Sequence, residues 1–240
     1  MSFADGVRRP AGVPVTLRLA LLDLAGTTVR DDGLVLDAVL AGLRAVRVPG
    51  AGPRFPALRR QADATMDRAS LSVFGDLLDG DMCRARRADA AFTARLRVRL
   101  AEGMLREVPG ATTTMTLLRD AGIGVGLASG FEASLHAEIV DALGWTELAD
   151  VTVCPADVDG RGLPDPAMLL TAAARLDAEP ADVVTAGDAT SAMVAGRRAG
   201  AGLTVGVLSG AHRAAPLRAA GADAIVDSVA DLPALLGLPS

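Results

Sequence analysis

Residues 17–28 read LRLALLDLAGTT, an apolar run that ends at the carboxylate of Asp23 and gives way to a Gly-Thr-Thr turn. A short continuous run of this kind is typical of a strand that is buried on both faces of a parallel sheet. From residue 109 onward, similar apolar runs alternate with segments of helical periodicity. This alternation indicates right-handed βαβ units. The sequence therefore predicts an α/β fold, a Rossmann-like parallel sheet flanked by helices.

Residues 34–105 follow a different pattern. Apolar positions recur there at three- and four-residue spacing, no strand pattern is evident, and a Pro/Gly-rich stretch at 49–56 separates two helical parts. We therefore predict a small all-helical cap domain inserted into a core that is formed by residues 17–33 and 106–240. Residues 1–16 mix Gly, Pro and Arg, which predicts a flexible N-terminal leader.

The composition excludes several classes of function. The 240 residues carry a net charge of −5, which argues against nucleic acid as a partner, because its binders need a basic face. No apolar run reaches about 18 residues and the N-terminus lacks the apolar segment of a signal peptide, so we expect a cytoplasmic protein with no membrane partner. All 24 basic residues are arginine, so no lysine amine is present to form a Schiff base.

The remaining reactive side chains carry weaker signals. Cys83 and Cys154 match no metal-binding spacing, which favours two buried, reduced thiols. His136 and His212 are interpreted as structural or surface groups. The arginines within residues 84–87 indicate a solvated face, although they can also steer an anionic substrate toward a cleft.

Polar residues end three of the predicted strands. Asp23, Ser129 and Asp188 should meet at one edge, because ligands of parallel sheets bind outside the carboxyl ends of the strands. Two carboxylates there favour a hard cation such as Mg²⁺. Ser129 and Gly130 precede a helix, where a hydroxyl and exposed N–H groups suit a phosphate oxygen. Arg161, in the loop GRGLP, offers a fork of donors to an anion.

Each of these residues also has a purely structural interpretation. Asp23 can form a turn with the residues that follow it. Asp188 and Ser129 can cap the helices that start after them. Arg161 can be a solvated loop arginine.

The segment LLDLAGTTV, residues 21–29, resembles the first motif of the haloacid dehalogenase superfamily, in which an aspartate ends the first strand and attacks phosphorus. Over residues 17–33 and 108–238 the chain is similar to the phosphonatase-like hydrolases, relatives of phosphonoacetaldehyde hydrolase. The helical insertion is similar only in position and character. The motifs that carry the resemblance follow in matching order: PGATTTMTLLRDAGIGVGLASGF at 109–131, GRGLPDP at 160–166, AGDATSAMVAGRRAGAG at 186–202, VGVLSGAH at 205–212 and DSVADLPALL at 227–236.

The resemblance implies a metal site and a nucleophile. Asp23 would be the nucleophile and a ligand of Mg²⁺. The backbone carbonyl of Ala25 would be a second ligand, and Asp188 would complete the site. The implied reaction is Mg²⁺-dependent hydrolysis of a small phosphorylated or phosphonate metabolite through an aspartyl-phosphate. A homodimer stays an open candidate for the assembly.

The resemblance also implies roles in substrate binding and charge neutralisation. Thr27, Ser129 and Gly130 would hold the phosphoryl oxygens. Arg161 would orient the nucleophile and neutralise charge. Electrostatic clamping of the transferring phosphoryl group would be the main source of the rate.

Three positions depart from the pattern of active relatives. Ala25 stands where most superfamily phosphatases have a second aspartate as general acid, although the phosphonatase group shares this alanine. Ala192 replaces an acidic residue four positions after Asp188, so we expect weaker Mg²⁺ binding. Gly162 replaces a proline, which should loosen its loop. The absence of lysine excludes the imine mechanism of phosphonoacetaldehyde hydrolase.

These departures leave two further hypotheses open. One is a catalytically impaired protein that binds a ligand or regulates a partner on the same scaffold. The other is a hydrolase in which Asp23 attacks carbon, as in haloacid dehalogenation.

Overall fold

The computed structural model describes residues 17–49 and 68–239, together with Pro56. The predicted leader, residues 1–16, and most of the predicted Pro/Gly-rich stretch lie outside the described residues. Both therefore stay predictions.

The core of the described chain is one parallel sheet with the strand order β3-β2-β1-β4-β5-β6. This is the order of a doubly wound Rossmann sheet, so the predicted fold class is confirmed. The first strand lies at the centre and pairs in parallel with the second and the fourth. The strands are β1 Leu19–Asp23, β2 Gly124–Ala128, β3 Val151–Val153, β4 Val183–Gly187, β5 Leu203–Val207 and β6 Ala224–Val226.

Helices cover both faces of the sheet and form the insertion. Three lie in the insertion: α1 Leu34–Ala45, α2 Ser70–Leu77 and α3 Met82–Ala101. The others accompany the strands: α4 Ala111–Asp120, α5 Ala133–Ala142, α6 Ala167–Arg175, α7 Thr190–Ala199, α8 Ala214–Ala219 and α9 Leu232–Leu236. None of the helices in the described part of the chain is long and apolar enough to cross a membrane.

Strand β1 divides the core into two layers, because successive side chains of a strand point to opposite faces. Leu19 and Leu21 pack in a cluster with the apolar face of α6. Ala20 and Leu22 belong to the larger cluster, which extends through α4 and α5 into the cap helices. Their burial explains why β1 reads as a continuous apolar run and not as an alternating one.

The larger cluster contains the single tryptophan of the chain, Trp145. Its side chain is fully buried, and its indole N–H donates a hydrogen bond of 2.9 Å to the Thr112 hydroxyl. This bond satisfies the polar end of an otherwise apolar ring inside the core.

The described part of the insertion is helical, as its periodicity predicts. Helix α3 packs against both α1 and α2. Phe74 and Phe92 meet edge to face across this contact, with ring centroids 6.0 Å apart. The two chain segments that join cap and core run side by side, and the Val108 N–H donates to the Thr28 carbonyl at 2.7 Å.

The last helix of the insertion ends at Ala101, because Gly103 adopts a left-handed conformation with φ 67° and turns the chain. One detail of the predictions is wrong. Both cysteines are free, but only Cys154 is buried, while Cys83 lies exposed in the first turn of α3.

Candidate active site

The carboxyl edge of the central strands carries the predicted polar residues. Asp23 is the last residue of β1 and lies opposite Ala128 of β2, which places Ser129 one residue further along. Asp188 follows β4, whose Ala186 lies opposite Leu22. Strand order and register therefore bring these three side chains to one edge.

A small cavity of about 40 Å³ opens at this edge. Five residues predicted for the site line it together: Asp23, Ala25, Ser129, Gly130 and Asp188. Phe131, Val35, Asp31 and Ala211 complete the lining. The cavity thus combines carboxylates with a hydroxyl and the backbone of Gly130, the groups that the predicted chemistry needs.

Hydrogen bonds from the following loops hold the two carboxylates in place. The Leu24 N–H donates to Asp23 Oδ1 at 2.8 Å, and the Ala211 N–H donates to Asp188 Oδ2 at 2.7 Å. Burial of Asp188 is nearly complete, at 5% exposure. Gly26 makes this packing possible, because it has φ 78° and a Cβ there would lie 2.2 Å from Asp188 Oδ2.

Thr27 lies behind the carboxylates. Its side chain is fully buried, and its hydroxyl donates to Asp188 Oδ1 at 3.4 Å. Thr27 does not line the small cavity. The contact that the structure shows is therefore to Asp188, and the predicted role of Thr27 in substrate binding stays a prediction.

The donor set suits magnesium. Asp23, Asp188 and Ala25 line one cavity, and two carboxylates with the Ala25 carbonyl would supply only oxygen, the donor type that Mg²⁺ prefers. Within the described ranges no group of three or more His, Cys, Asp or Glu side chains is arranged to hold a metal. Mg²⁺ is commonly bound by one or two carboxylates together with water and substrate phosphate. The residues present therefore fit Mg²⁺, with water and substrate completing the coordination.

Ser129 makes a contact that the sequence did not reveal. Its Oγ lies 2.7 Å from Nδ1 of His136 on α5, and the Phe131 N–H donates to the same Oγ at 3.3 Å. His136 is 3% exposed. Burial lowers the pKa of His136 from 6.5 to about 4, so the ring is neutral at pH 7. One feature of the sequence indicates the burial of His136: it follows Leu135 and belongs to the buried stripe of α5.

Asp31 is a further carboxyl group in the lining of the small cavity. Its Oδ1 accepts a hydrogen bond of 2.9 Å from the Val35 N–H in the first turn of α1. Burial raises the pKa of Asp31 above its ordinary value. In the sequence it resembles an ordinary capping residue, and only the fold brings it to the site.

Arg161 points elsewhere. Its Nε donates to the Val158 carbonyl at 3.1 Å, and its Nη1 lies 4.0 Å from Asp165 Oδ1. The side chain is 55% exposed and does not line the small cavity. The structure therefore does not bring Arg161 to Asp23, which agrees with its alternative interpretation as a solvated loop arginine.

The loop around Gly162 is tightly packed, in contrast to the expected loosening. A Cβ at Gly162 would lie 2.8 Å from the Ala69 Cβ and 2.9 Å from the Ala69 nitrogen, at the start of the second cap helix. A Cβ at Gly130 would likewise lie 2.6 Å from the Arg68 carbonyl oxygen. Two glycines of the core thus allow the cap to approach the site closely.

A larger cavity of about 810 Å³ lies between the cap and the core. Gly130 and Phe131 line both cavities, so the large one adjoins the small one. The large cavity is mostly apolar but has four carboxyl groups in its lining: Asp76, Asp79, Asp89 and Glu132.

Ala192 lies beneath the site. Its side chain is 7% exposed and lines a second small cavity, of about 30 Å³, together with Asp23 and Ser129. The position where the resemblance implies an acidic residue therefore adjoins Asp23, and a methyl group occupies it.

Comparisons with known proteins agree with the fold. A family model for haloacid dehalogenase-like hydrolases matches residues 17–200. The chain is 27% identical over 219 residues to a probable phosphatase, IndB, of Dickeya dadantii, which covers 89% of this chain and 91% of that protein. It is 30% identical over 155 residues to a phosphonoacetaldehyde hydrolase of Lactiplantibacillus plantarum, which covers 53% of this chain and 57% of that protein. A solved hydrolase from Pseudomonas syringae has a TM-score of 0.79 at 23% identity, covering 92% of this chain and 98% of that one.

Proposed function

The chain belongs to the haloacid dehalogenase-like hydrolase family, and on that premise we propose that it is a Mg²⁺-dependent phosphohydrolase for a small phosphorylated metabolite. Asp23 is the proposed nucleophile. The observation that carries this proposal is that Asp23, Ser129, Gly130 and Asp188 line one cavity. Hydrolase activity follows from the family, whereas the metal, the intermediate and the residue roles are proposals.

The proposed reaction has two steps at Asp23. A carboxylate oxygen of Asp23 attacks phosphorus, and the bond between phosphorus and the leaving oxygen breaks, which gives an aspartyl-phosphate. Water then attacks this phosphorus, releases inorganic phosphate and restores the carboxylate. The Leu24 N–H donates to one oxygen of Asp23 and so orients the carboxylate.

The other residues of the cavity bind and orient. The Ser129 hydroxyl and the backbone N–H of Gly130, which both belong to the lining of the cavity, would donate hydrogen bonds to phosphoryl oxygens. Asp23, Asp188 and the Ala25 carbonyl would hold Mg²⁺. When bound, the ion neutralises the charge that two carboxylates and a phosphoryl group bring to one place.

We propose that the chain belongs to the phosphonatase-like subgroup but cleaves a different bond, the one between phosphorus and a leaving oxygen. One relative, 30% identical over 155 residues, is a phosphonoacetaldehyde hydrolase. The chain contains no lysine to form the imine that makes carbon a leaving group. Ala25 also supplies no general acid, a loss that costs roughly 10²- to 10⁴-fold in rate. A substrate with a good leaving group, such as an acyl phosphate, fits these residues best.

A panel of phosphorylated metabolites that includes acetyl phosphate tests the proposal. Phosphate release is measured with Mg²⁺ and with a chelator, for the wild type and for Asp23→Asn. We expect release by the wild type with Mg²⁺ only. Equal release by both proteins would place the activity outside Asp23 and reject the proposal.

A second candidate is a ligand-binding protein with little turnover. It is favoured by Ala192 beneath the proposed metal site and by the outward direction of Arg161. Calorimetry with Mg²⁺ and vanadate separates the two candidates. Tight binding of vanadate without turnover of any panel compound would favour the second. The cytoplasmic location and the candidate homodimer stay predictions.

A further inference from the structure

The hydrogen bond between Ser129 and His136 joins the candidate site to a group with no assigned role. Ser129 Oγ and His136 Nδ1 are 2.7 Å apart, and both residues are almost completely buried. His136 lies in the first half of α5, and so faces back toward the end of β2. The pair is therefore enclosed beside the cavity that Ser129 lines.

The direction of this bond decides what Ser129 can offer a substrate. A serine hydroxyl has one proton to donate and two lone pairs to accept with. The Phe131 N–H already uses one lone pair. If Nδ1 of His136 is bare, Ser129 donates its proton to the ring. If Nδ1 carries the proton, the ring donates to Ser129, and the serine proton is available to a phosphoryl oxygen.

The surroundings of the ring favour a proton on Nδ1. In the part of the chain that the structure describes, Nε2 of His136 is buried without a hydrogen-bond partner. A proton on Nε2 would be a buried donor with no acceptor, which native structures rarely contain. A proton on Nδ1 has an acceptor at 2.7 Å. In a neutral histidine, the hydrogen bond of one nitrogen sets the tautomer in this way.

We propose that His136 is a positioning residue that donates from Nδ1 to Ser129 and thereby directs the Ser129 hydroxyl proton into the Asp23 cavity. The inference rests on the proposed phosphoryl-binding function of that cavity. The ring touches no reacting atom and acts through Ser129. Its expected contribution is the orientation of one donor.

Nitrogen NMR of the ¹⁵N-labelled full chain tests the tautomer directly. The chain has two histidines, so His212→Gln assigns both ring signals. At pH 7 we expect long-range proton–nitrogen correlations of His136 to show a protonated Nδ1 and a bare Nε2. The reverse pattern would overturn the proposal. This readout needs no substrate, so it separates a failure of the inference from a failure of the proposed function.

Binding of inorganic phosphate in the presence of Mg²⁺, measured by calorimetry, tests the consequence. His136→Leu removes the donor, whereas His136→Asn keeps an N–H group near the place of Nδ1. We expect His136→Leu to weaken phosphate binding about 10-fold and His136→Asn to retain most of the affinity. Ser129→Ala should weaken binding by a similar factor.

The double variant gives the decisive comparison. If His136 acts through Ser129, adding His136→Leu to Ser129→Ala should cause no further loss. Losses that simply multiply would show that His136 acts independently, and so would overturn the proposal. Full affinity in His136→Leu would overturn it as well.

Discussion

The carboxyl edge of the sheet and the helical cap hold their carboxylates in different ways. At the edge, backbone N–H groups of Leu24 and Ala211 donate to Asp23 and Asp188. In the cap, Asp37 of α1 pairs with Arg95 at 2.8 Å and with Arg99 at 3.0 Å. These guanidinium groups lower the pKa of the Asp37 carboxyl.

The two kinds of partner affect the charge of a carboxylate in different ways. An arginine neutralises the carboxylate that it holds, whereas a backbone N–H orients a carboxylate without cancelling its charge. The proposed cation site at the edge uses carboxylates that backbone N–H groups orient, whereas the ion pairs of the cap join its helices. The cap also contributes part of the lining of the larger cavity beside the site.

The largest effect expected at the edge is that of Asp23→Asn. The amide keeps the size and the hydrogen bond from Leu24 but is not a nucleophile, so we expect turnover to fall by at least roughly 10³-fold. Asp37→Asn in the cap is the matched control and should leave turnover nearly unchanged. Phosphate release measures both. A comparable loss in the two variants would break the distinction between edge and cap.

The pH dependence of stability should show the buried histidine. The pKa of His136 is about 4 in the native state and about 6.5 in the unfolded chain, so only the unfolded state binds a proton between these values. The contribution of the neutral ring to the free energy of unfolding is complete above pH 6.5. It decreases by roughly 3 kcal/mol as the pH falls toward 4. Urea unfolding of the wild type and of His136→Asn from pH 7 to 4 measures it. Parallel pH profiles of the two proteins would contradict this expectation.

Ala192→Asp should sharpen the comparison by adding a third carboxylate beneath the edge. Without metal, the added charge lies next to Asp23 in a cavity of only about 30 Å³, so the melting temperature should fall. With Mg²⁺ it should recover, because we expect binding to tighten by roughly 10- to 100-fold. Ala192→Asn has the same size without the charge and is the control. Identical Mg²⁺ responses of the two variants would show that position 192 does not reach the metal.

The smallest expected effect is that of Gly162→Ala, which tests the approach of the cap. The new methyl group would meet Ala69 at 2.8 Å, so the cap has to shift away from the core. We expect kcat/KM to fall by roughly 10-fold through misplacement of the substrate. Gly75→Ala, in the lining of the large cavity, adds a methyl group at an ordinary 3.5 Å from the Met82 sulfur and should change kcat/KM little. Equal kinetics for both variants would show that this approach is not needed.

The sequence predicts the sheet and its edge well, for a physical reason. Strands buried on both faces appear as apolar runs, and the residue after such a run lies at the carboxyl edge. Asp23, Ser129 and Asp188 could therefore be grouped before their strands were ordered. The fold adds that β1 lies between β2 and β4, which makes the three residues neighbours. The sequence alone does not show this strand order.

Other features of the site depend on rotation and packing that no pattern records. The contact of His136 with Ser129 depends on the rotation of α5 about its axis. Asp31 reaches the cavity through the path of the chain into α1. The direction of Arg161 is set by local bonds to Val158 and Asp165, whereas a motif specifies only that an arginine is present.

The buried indole of Trp145 has a practical consequence for the study of this protein. The chain has one tryptophan and no tyrosine, so its near-ultraviolet emission comes almost entirely from a single position in the sheet domain. A fluorescence melting curve will therefore report the loosening of the core around α4 and α5. Unfolding confined to the insertion will not change this fluorescence signal unless a second tryptophan is introduced there, for example by Phe92→Trp.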